Sequence, residues 1–345
     1  MDLVVLAGTI GSDVGWARGY PRPLLPLGDG RTLMAALLER FDTYPDALSA
    51  ICANGHADHI EAHLSVLGRQ KPLILLEEGV PLGTAGCLRK CAPHLKSDTF
   101  FLAGGSVWLA DDPQWMLEQH RISGNAITAF CTQSRSWNGE STRRLTPAGI
   151  YCCERTALQH IRSTGYFDLK EQWVPALRKA GLRVGAIAVS PNTGEVRTWP
   201  RYAQVLSDSI SSARLEVQGF RSPAPGVWIG SGAKIAATAR IAGPVLLGRG
   251  CVVESGALLV GPLVLGDGCR IGANALLERV VAPGKIAFPK GAAVSDRVVA
   301  SSKASPFPVV LAEGCRGSKA LRRLGPAALR RVGVAGSRTP RKSVG

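Results

Sequence analysis

The sequence predicts an α/β domain followed by a parallel β-helix, and two patterns along the chain support this fold class. In residues 1–190, apolar strand patterns alternate with helical ones, which is the order typical of a parallel sheet with crossover helices. From residue 229 onward, branched aliphatic residues recur at every sixth position, the hexapeptide period of β-helices. The chain has 345 residues, 46% of them hydrophobic, which suffices for two domains with separate cores.

The α/β part is predicted from the spacing of its apolar residues. The first strand, residues 4–7, runs into a loop that contains Gly8 and Gly11. The predicted strands span residues 4–7, 48–53, 73–76, 99–103, 126–131, 149–153 and 184–189. The predicted helices span residues 33–41, 56–67, 84–92, 115–122 and 169–180.

The repeat beyond residue 229 has two columns of residues. The first holds nine branched aliphatics: Ile229, Ile235, Ile241, Leu247, Val253, Leu259, Leu265, Ile271 and Leu277. The second, four residues later in each unit, is small or apolar: Ala233, Ala239, Val245, Cys251, Ala257, Leu263, Cys269, Ala275 and Val281. Because each unit supplies one strand and one corner, three units close a coil. We expect coils over residues 227–282, with the first column pointing inward and Ile241 and Leu259 buried.

Three segments are predicted: an α/β domain at 1–222, a β-helix with its cap at 223–314, and a basic tail at 315–345. Nine basic residues and no acidic one lie in residues 316–345, so more than half of the net charge of +15 belongs to the tail. This composition favours a disordered, solvated tail. The alternative is a tail that contacts an anionic surface or a nucleic acid.

Composition also excludes several classes of protein. The nine cysteines are odd in number and form no CxxC pair, which favours reduced thiols in a cytoplasmic protein over disulfides or a zinc site. No apolar run approaches the roughly 18 residues of a membrane span. The first residues resemble a β-strand rather than a signal peptide.

Three short segments carry a resemblance to a known family. Residues 3–8 read Leu-Val-Val-Leu-Ala-Gly, and residues 21–27 read Pro-Arg-Pro-Leu-Leu-Pro-Leu. Residues 82–86 read Leu-Gly-Thr-Ala-Gly, and weaker matches cover residues 148–151 and a stretch that ends at Tyr202. Together with the repeat, these segments resemble the sugar-nucleotide pyrophosphorylases (NDP-sugar nucleotidyltransferases), in particular the mannose-1-phosphate guanylyltransferases, over residues 3–282.

The resemblance implies a Rossmann-like nucleotidyltransferase domain and a left-handed winding of the β-helix. It implies a transferase reaction in which a sugar 1-phosphate attacks the α-phosphate of an NTP, giving an NDP-sugar and pyrophosphate, with Mg²⁺ as the cofactor if the chain is active. The implied partners are a nucleotide or nucleotide-sugar, and either further copies of the chain or an active paralogue. The implied process is nucleotide-sugar and polysaccharide biosynthesis in the cytoplasm.

The resemblance also assigns candidate site residues, although no catalytic residue is assigned. Residues of the first loop and the Pro-Arg-Pro segment would bind nucleotide phosphates: Ala7, Gly8, Gly11 and Arg22. Residues of the Leu-Gly-Thr-Ala-Gly loop would border the base or sugar: Leu82, Gly83, Thr84 and Ala85. Gly149 would lie on the sugar side, and Glu195 and Asp111 are the candidate metal ligands.

The chain departs from the family at several charged positions. Thr9 replaces the second glycine of the phosphate loop, and Asp13 replaces its arginine, so an anion would lie beside the polyphosphate. Arg22 replaces a lysine, which keeps the charge but changes its geometry. Gly105 replaces the carboxylate that holds the metal, and only Glu195 aligns with the family's second metal ligand. The family's Glu-Lys-Pro sugar contact does not occur in residues 132–147.

Two hypotheses therefore stay open: a weakened or altered sugar-1-phosphate nucleotidyltransferase, and a catalytically inactive regulatory subunit that binds nucleotide-sugars. A hexapeptide acyltransferase is disfavoured because such enzymes use a histidine on the β-helix, whereas the last histidine here is His160. His56, His59 and His63 have helical spacing, and we interpret them as ordinary helix residues rather than metal ligands.

Overall fold

The computed structural model describes residues 1–8, 21–28, 30–55, 57–65, 71–134, 144–213, 215–216, 219–299 and 330–331. The chain divides into two compact units. The first unit contains most of residues 1–198, and the second contains Trp199 onward together with Leu27 and Gly28. This division lies before the boundary at residue 222 that the sequence predicts.

The first unit is built on a seven-stranded, mainly parallel sheet. Its strands are β1 (Asp2–Leu6), β2 (Ser49–Ala53), β3 (Leu73–Glu77), β4 (Thr99–Gly104), β6 (Ile127–Ser134), β7 (Arg144–Glu154) and β8 (Val184–Ala188). A separate antiparallel pair is formed by β5 (Val107–Trp108) and β9 (Gly194–Glu195). The sheet order is β3-β2-β1-β4-β7-β6-β8, in which only β7 runs antiparallel to its neighbours.

Helices cover both faces of this sheet. They are α1 (Leu33–Asp42), α2 (Ala57–Ser65), α3 (Thr84–Cys91), α4 (Pro113–Ser123) and α5 (Val174–Lys179). A π-helical turn, Leu169–Trp173, precedes α5, and short 3-10 helices span Arg22–Leu24, Ala92–His94 and Arg155–His160. Leu3 and Val5 face one buried cluster while Val4 faces the other, as alternate residues of a strand must. Burial on both faces explains the continuous apolar run of β1.

The second unit begins with α6 (Trp199–Ser212) and continues into short strands. These are β10 (Phe220–Ala224), β11 (Val227–Gly230), β12 (Lys234–Ile235), β13 (Arg240–Ala242), β14 (Val245–Leu247), β15 (Val252–Val253), β16 (Leu258–Val260), β17 (Leu263–Leu265), β18 (Arg270–Ile271), β19 (Leu276–Ala282), β20 (Ala287–Phe288), β21 (Ala292–Val298) and β22 (Arg330–Arg331). The Trp228 indole N–H donates to the Ile210 carbonyl at 3.0 Å, which fixes α6 against β11.

The strands from β11 to β21 pair in parallel and are divided between a larger curled sheet and a separate sheet of β12, β15, β18 and β20. Val245 pairs with Leu263, eighteen residues further on, and Leu258 pairs with Leu276 at the same interval. Three hexapeptides contain eighteen residues, so this register agrees with the predicted length of one coil. The interval falls to seventeen in the last pairs, where Val264 lies opposite Val281.

The first column of the repeat points inward. Leu259 is fully buried, as expected, and so are the members from Leu247 to Leu277. Ile241 is only partly buried, contrary to our expectation, because β13 is the terminal strand of its ladder and lacks a neighbour on one side. The pattern of the second column changes at its last unit. Where the pairing interval shortens to seventeen residues, Val280 and Ala282 belong to the buried cluster of the second unit.

The predicted tail lies outside the described residues except for β22, which pairs in parallel with β21. No helix among the residues described is both long enough and apolar enough to cross a membrane.

Candidate functional site

The strand order locates a candidate site in the first unit. In open α/β sheets, ligands bind beyond the carboxyl ends of the parallel strands, at the point where the strand order reverses. Here that point lies between β1 and β4, since β2 and β3 continue on the other side of β1. The residues that follow the two strands are Ala7 and Gly8 after β1, and Gly105 after β4. The N–H of Gly105 donates to the Leu6 carbonyl at 2.9 Å, which holds the two strand ends together.

Gly105 occupies a position with no room for a side chain. A Cβ atom there would lie 2.9 Å from Pro23 Cγ and 3.3 Å from Ala7 Cα. Pro23 belongs to the 3-10 turn Arg22–Leu24, so the turn that contains Arg22 packs against the residue that follows β4. A carboxylate at position 105 would require Pro23 to move. The remaining members of the predicted phosphate loop, Gly11 among them, lie outside the described residues.

The ends of β2 and β3 also meet Gly8. A Cβ at Gly8 would lie 3.1 Å from Asn54 Cβ and 3.7 Å from Glu78 Oε2. The other oxygen of Glu78 accepts a hydrogen bond from the Leu82 N–H at 2.5 Å, so this carboxylate lies close to Gly8 and holds the base/sugar loop. Asn54 and Glu78 were not predicted as site residues, although polar residues directly after apolar strands are a usable signal.

The base/sugar loop is held by a segment far away in sequence. The N–H groups of Ala85 and Gly86 both donate to the Phe167 carbonyl at 3.0 Å. The Thr84 hydroxyl donates to Asp168 Oδ2 at 3.0 Å and accepts from the Leu169 N–H at 2.8 Å. Residues 82–85 thus lead into α3 and are fixed by residues 167–169, a contact that the sequence did not predict.

Asp168 is charged under ordinary conditions. Its partial burial raises the pKa, but the N–H groups of Glu171 and Lys170 and the Thr84 hydroxyl stabilise the carboxylate, and the net result is a pKa below the usual 3.8. This carboxylate therefore remains a firm acceptor for Thr84 at neutral pH.

Glu195 lies at the end of β4, together with Gly149. Its Oε1 would be 2.9 Å from a Cβ at Gly104, and its Cγ would be 2.4 Å from a Cβ at Gly149. Gly149 also has φ +83°, a conformation that favours glycine. The carboxylate pairs with Arg197 Nε. Burial raises the pKa of the neighbouring Tyr151 phenol, and the negative charge of Glu195 adds to this effect.

Asp111, the other candidate metal ligand, binds a turn of the chain. Its carboxylate accepts hydrogen bonds from the Ser190 N–H at 3.2 Å and from the Thr193 hydroxyl at 2.5 Å.

On α2, His63 Nε2 lies 2.9 Å from the Thr32 hydroxyl, and burial lowers the pKa of this imidazole. No group of three or more His, Cys, Asp or Glu side chains within the described part of the chain is placed to hold a metal ion.

The chain resembles several solved structures in fold. No protein-family model and no curated protein matches its sequence. HddC from Yersinia pseudotuberculosis, solved with GMP-PN, is 15% identical over 60% of this chain and 98% of HddC, with a TM-score of 0.50. A second HddC structure has the same identity and coverage and a TM-score of 0.51. The inositol-1-phosphate CTP transferase from T. maritima is also 15% identical, over 62% of this chain and 97% of the transferase, with a TM-score of 0.47. Over about 60% of its length the chain therefore shares the fold of HddC, and its parallel-rich sheet fits a Rossmann-like α/β fold.

Proposed function

We propose that this chain is a nucleotide-sugar-binding protein of the NDP-sugar nucleotidyltransferase type, with weakened or altered turnover. The observation that carries the proposal is the packing of Gly105 against Pro23 and Ala7 at the point of strand-order reversal. The fold supports a ligand at this edge. At the same edge the chain lacks the carboxylate that the resembled family uses to hold its metal.

The residues present do not fit a bound Mg²⁺ ion. Mg²⁺ prefers carboxylate oxygens and waters in octahedral geometry. Gly105 offers no side-chain ligand, and Glu195 already pairs with Arg197. Asp111 is engaged by Ser190 and Thr193. We therefore assign no step to a metal in this chain.

Substrate binding is better supported than turnover. Phosphoryl transfer depends on positioning and on neutralisation of charge, since a sugar phosphate and three nucleotide phosphates must approach one another. Arg22 supplies one positive charge on the phosphate side, and Gly8 lets backbone approach a ligand closely. Loss of a preorganised electrostatic group commonly reduces the rate by about 10²–10³, so the absent carboxylate alone predicts slow turnover.

The second candidate function is a catalytically inactive regulatory subunit of an active paralogue. Two features favour this candidate. Hydrogen bonds hold the loop of residues 82–85 in place. After β4, Gly105 stands where the resembled family has its metal-binding carboxylate. The eighteen-residue register supports a β-helix in the second unit, for which the resemblance implies a left-handed winding. Through this β-helix the chain would form homo-oligomers or bind the paralogue. A cytoplasmic role in polysaccharide biosynthesis belongs to the same proposal.

A turnover assay tests the two candidates. Purified protein is incubated with Mg²⁺, each common NTP and mannose 1-phosphate or glucose 1-phosphate, and pyrophosphate release is followed beside an active guanylyltransferase as the positive control. We expect release to be absent or far below about 1 s⁻¹, a rate ordinary for an enzyme. A rate at or above that value contradicts the loss of turnover.

Binding and assembly are measured on the same protein. A thermal-shift panel of NTPs and NDP-sugars is expected to show stabilisation by at least one nucleotide class, because a ligand that binds only the folded state raises its stability. Absence of stabilisation by every ligand overturns the proposed function. Light scattering is expected to show an oligomer, and a monomer contradicts self-association.

A further inference from the structure

An arginine of the chain itself, Arg197, supplies a positive charge beside the end of β4. Glu195 lies against Gly104 and Gly149, and the guanidinium of Arg197 pairs with its carboxylate. These two residues together have no net charge. A carboxylate without a partner would attract a divalent ion, but this one is already neutralised within the chain.

The backbone fixes this pair in position. Residues two apart on a strand point to the same face. Glu195 pairs with Val107 across the β5–β9 ribbon, and the Val196 N–H donates to the Ser106 carbonyl at 2.9 Å, which extends the ribbon beyond Glu195. Val196 is fully buried, so Glu195 and Arg197 lie together on the opposite face.

Arg197 can contact a ligand while it contacts Glu195. The Arg197 side chain is 64% exposed, whereas that of Glu195 is 22% exposed. The contact with Glu195 engages Nε of a guanidinium that also carries two terminal nitrogens. A planar guanidinium presents several N–H donors in a fork that suits phosphate oxygens, and such charged hydrogen bonds are strong.

We propose that Arg197 takes the place of a divalent cation, so that the chain binds the diphosphate of a nucleoside diphosphate or NDP-sugar without Mg²⁺. This inference rests on the proposed function, because it places the phosphates at the end of β4. It assigns Arg197 as a binding residue and Glu195 as the residue that positions it.

Two substitutions give opposite expectations. Arg197→Gln removes the positive charge and the guanidinium fork, so affinity for GDP in the presence of EDTA is expected to fall about tenfold or more. Glu195→Gln removes a negative charge near the phosphates, but its amide oxygen can still accept a hydrogen bond from Arg197 Nε and keep it in position. Affinity in EDTA is therefore expected to stay equal or to increase. If Glu195 instead held a metal, Glu195→Gln would weaken binding, and only when Mg²⁺ is present.

The experiment is calorimetric titration of the full-length protein with GDP, UDP, CDP, ADP and dTDP, in EDTA and in MgCl₂. Arg178→Gln is the matched control, because Arg178 is an exposed arginine on α5 and its loss changes the net charge equally. We expect the wild type and this control to bind at least one diphosphate equally well in EDTA and in Mg²⁺. Melting of each variant without ligand verifies folding, and Arg197→Lys, which retains the charge but loses the fork, is used if Arg197→Gln unfolds.

Several outcomes overturn the inference. Diphosphate binding that requires Mg²⁺ overturns it and leaves the proposed function standing. Wild-type affinity of Arg197→Gln in EDTA also overturns it, as does wild-type affinity of Arg197→Lys where that variant is used. If no diphosphate and no NDP-sugar binds under either condition, the proposed function fails and the inference fails with it.

Discussion

Single glycines determine much of the candidate site's geometry. Gly83, which precedes α3, has φ +75° and ψ 164°, a conformation essentially confined to glycine. A Cβ there would also lie 2.7 Å from the Phe167 carbonyl oxygen. That carbonyl accepts the hydrogen bonds of Ala85 and Gly86, so the same close approach that excludes a side chain holds the start of α3.

Gly83→Ala is predicted to destabilise the first unit by about 3 kcal/mol or more, because it adds a backbone clash to an unfavourable conformation. Gly79→Ala is the matched control. Gly79 has φ +77°, but a Cβ there would meet no atom within 4 Å, so only the conformational cost of about 1–2 kcal/mol remains. Urea unfolding of both variants measures the difference, and equal midpoints would contradict a close approach at Gly83.

The sequence predicted only one side of this contact. The Leu-Gly-Thr-Ala-Gly motif drew attention to Gly83 and Thr84. Its partners, Phe167 and Asp168, are more than eighty residues away and act partly through a backbone carbonyl, which any residue type supplies. Glu195 was identified from the resemblance, but its pairing with Arg197 became clear only from the structure.

At the scale of elements, long periodic segments were predicted well and two kinds of element were missed. The predicted helix at 33–41 agrees closely with α1, and the strand at 48–53 with β2. The strands β5 and β9 have two residues each, too few to show a period. Helix α6 was also missed, although its buried residues Tyr202, Leu206 and Ser209 have helical spacing and could have revealed it.

The inward column of the curled sheet gives a prediction for one strand. Leu259→Asp on β16 is expected to cost at least about 3 kcal/mol, because it places an unpaired carboxylate in an apolar core. Leu258→Asp is the control, since Leu258 neighbours it on the same strand, is partly exposed and points outward. Chemical unfolding compares the two. A similar loss of stability in both variants would show that this register is wrong.

At the scale of the whole molecule, charge is unevenly distributed along the chain. Residues 316–345 carry nine basic side chains and no acidic one. Of these residues, the structure describes only β22, whose ladder contact with β21 is two residues long. Folding of the two units is therefore expected to depend little on the tail.

Deletion of residues 316–345 is predicted to change the melting temperature by less than about 2 °C, since it removes little buried surface. The deletion should weaken binding to heparin, and binding of the intact chain should weaken with added salt. A full-length variant with glutamine at the nine basic positions shows whether heparin binding is lost because the charge is removed or because the chain is shorter. A large fall in melting temperature on deletion would show that the tail packs against the rest of the protein.

The eighteen-residue pairing interval has a consequence for how such a chain can change length. An in-frame duplication or loss of one whole coil leaves every remaining strand opposite an equivalent partner, so the gene can lengthen or shorten this region in one step. A change of one hexapeptide would instead place each later strand on a different side of the coil. Natural length variants of this region should therefore differ by whole coils, with smaller differences confined to the seventeen-residue interval near Val281.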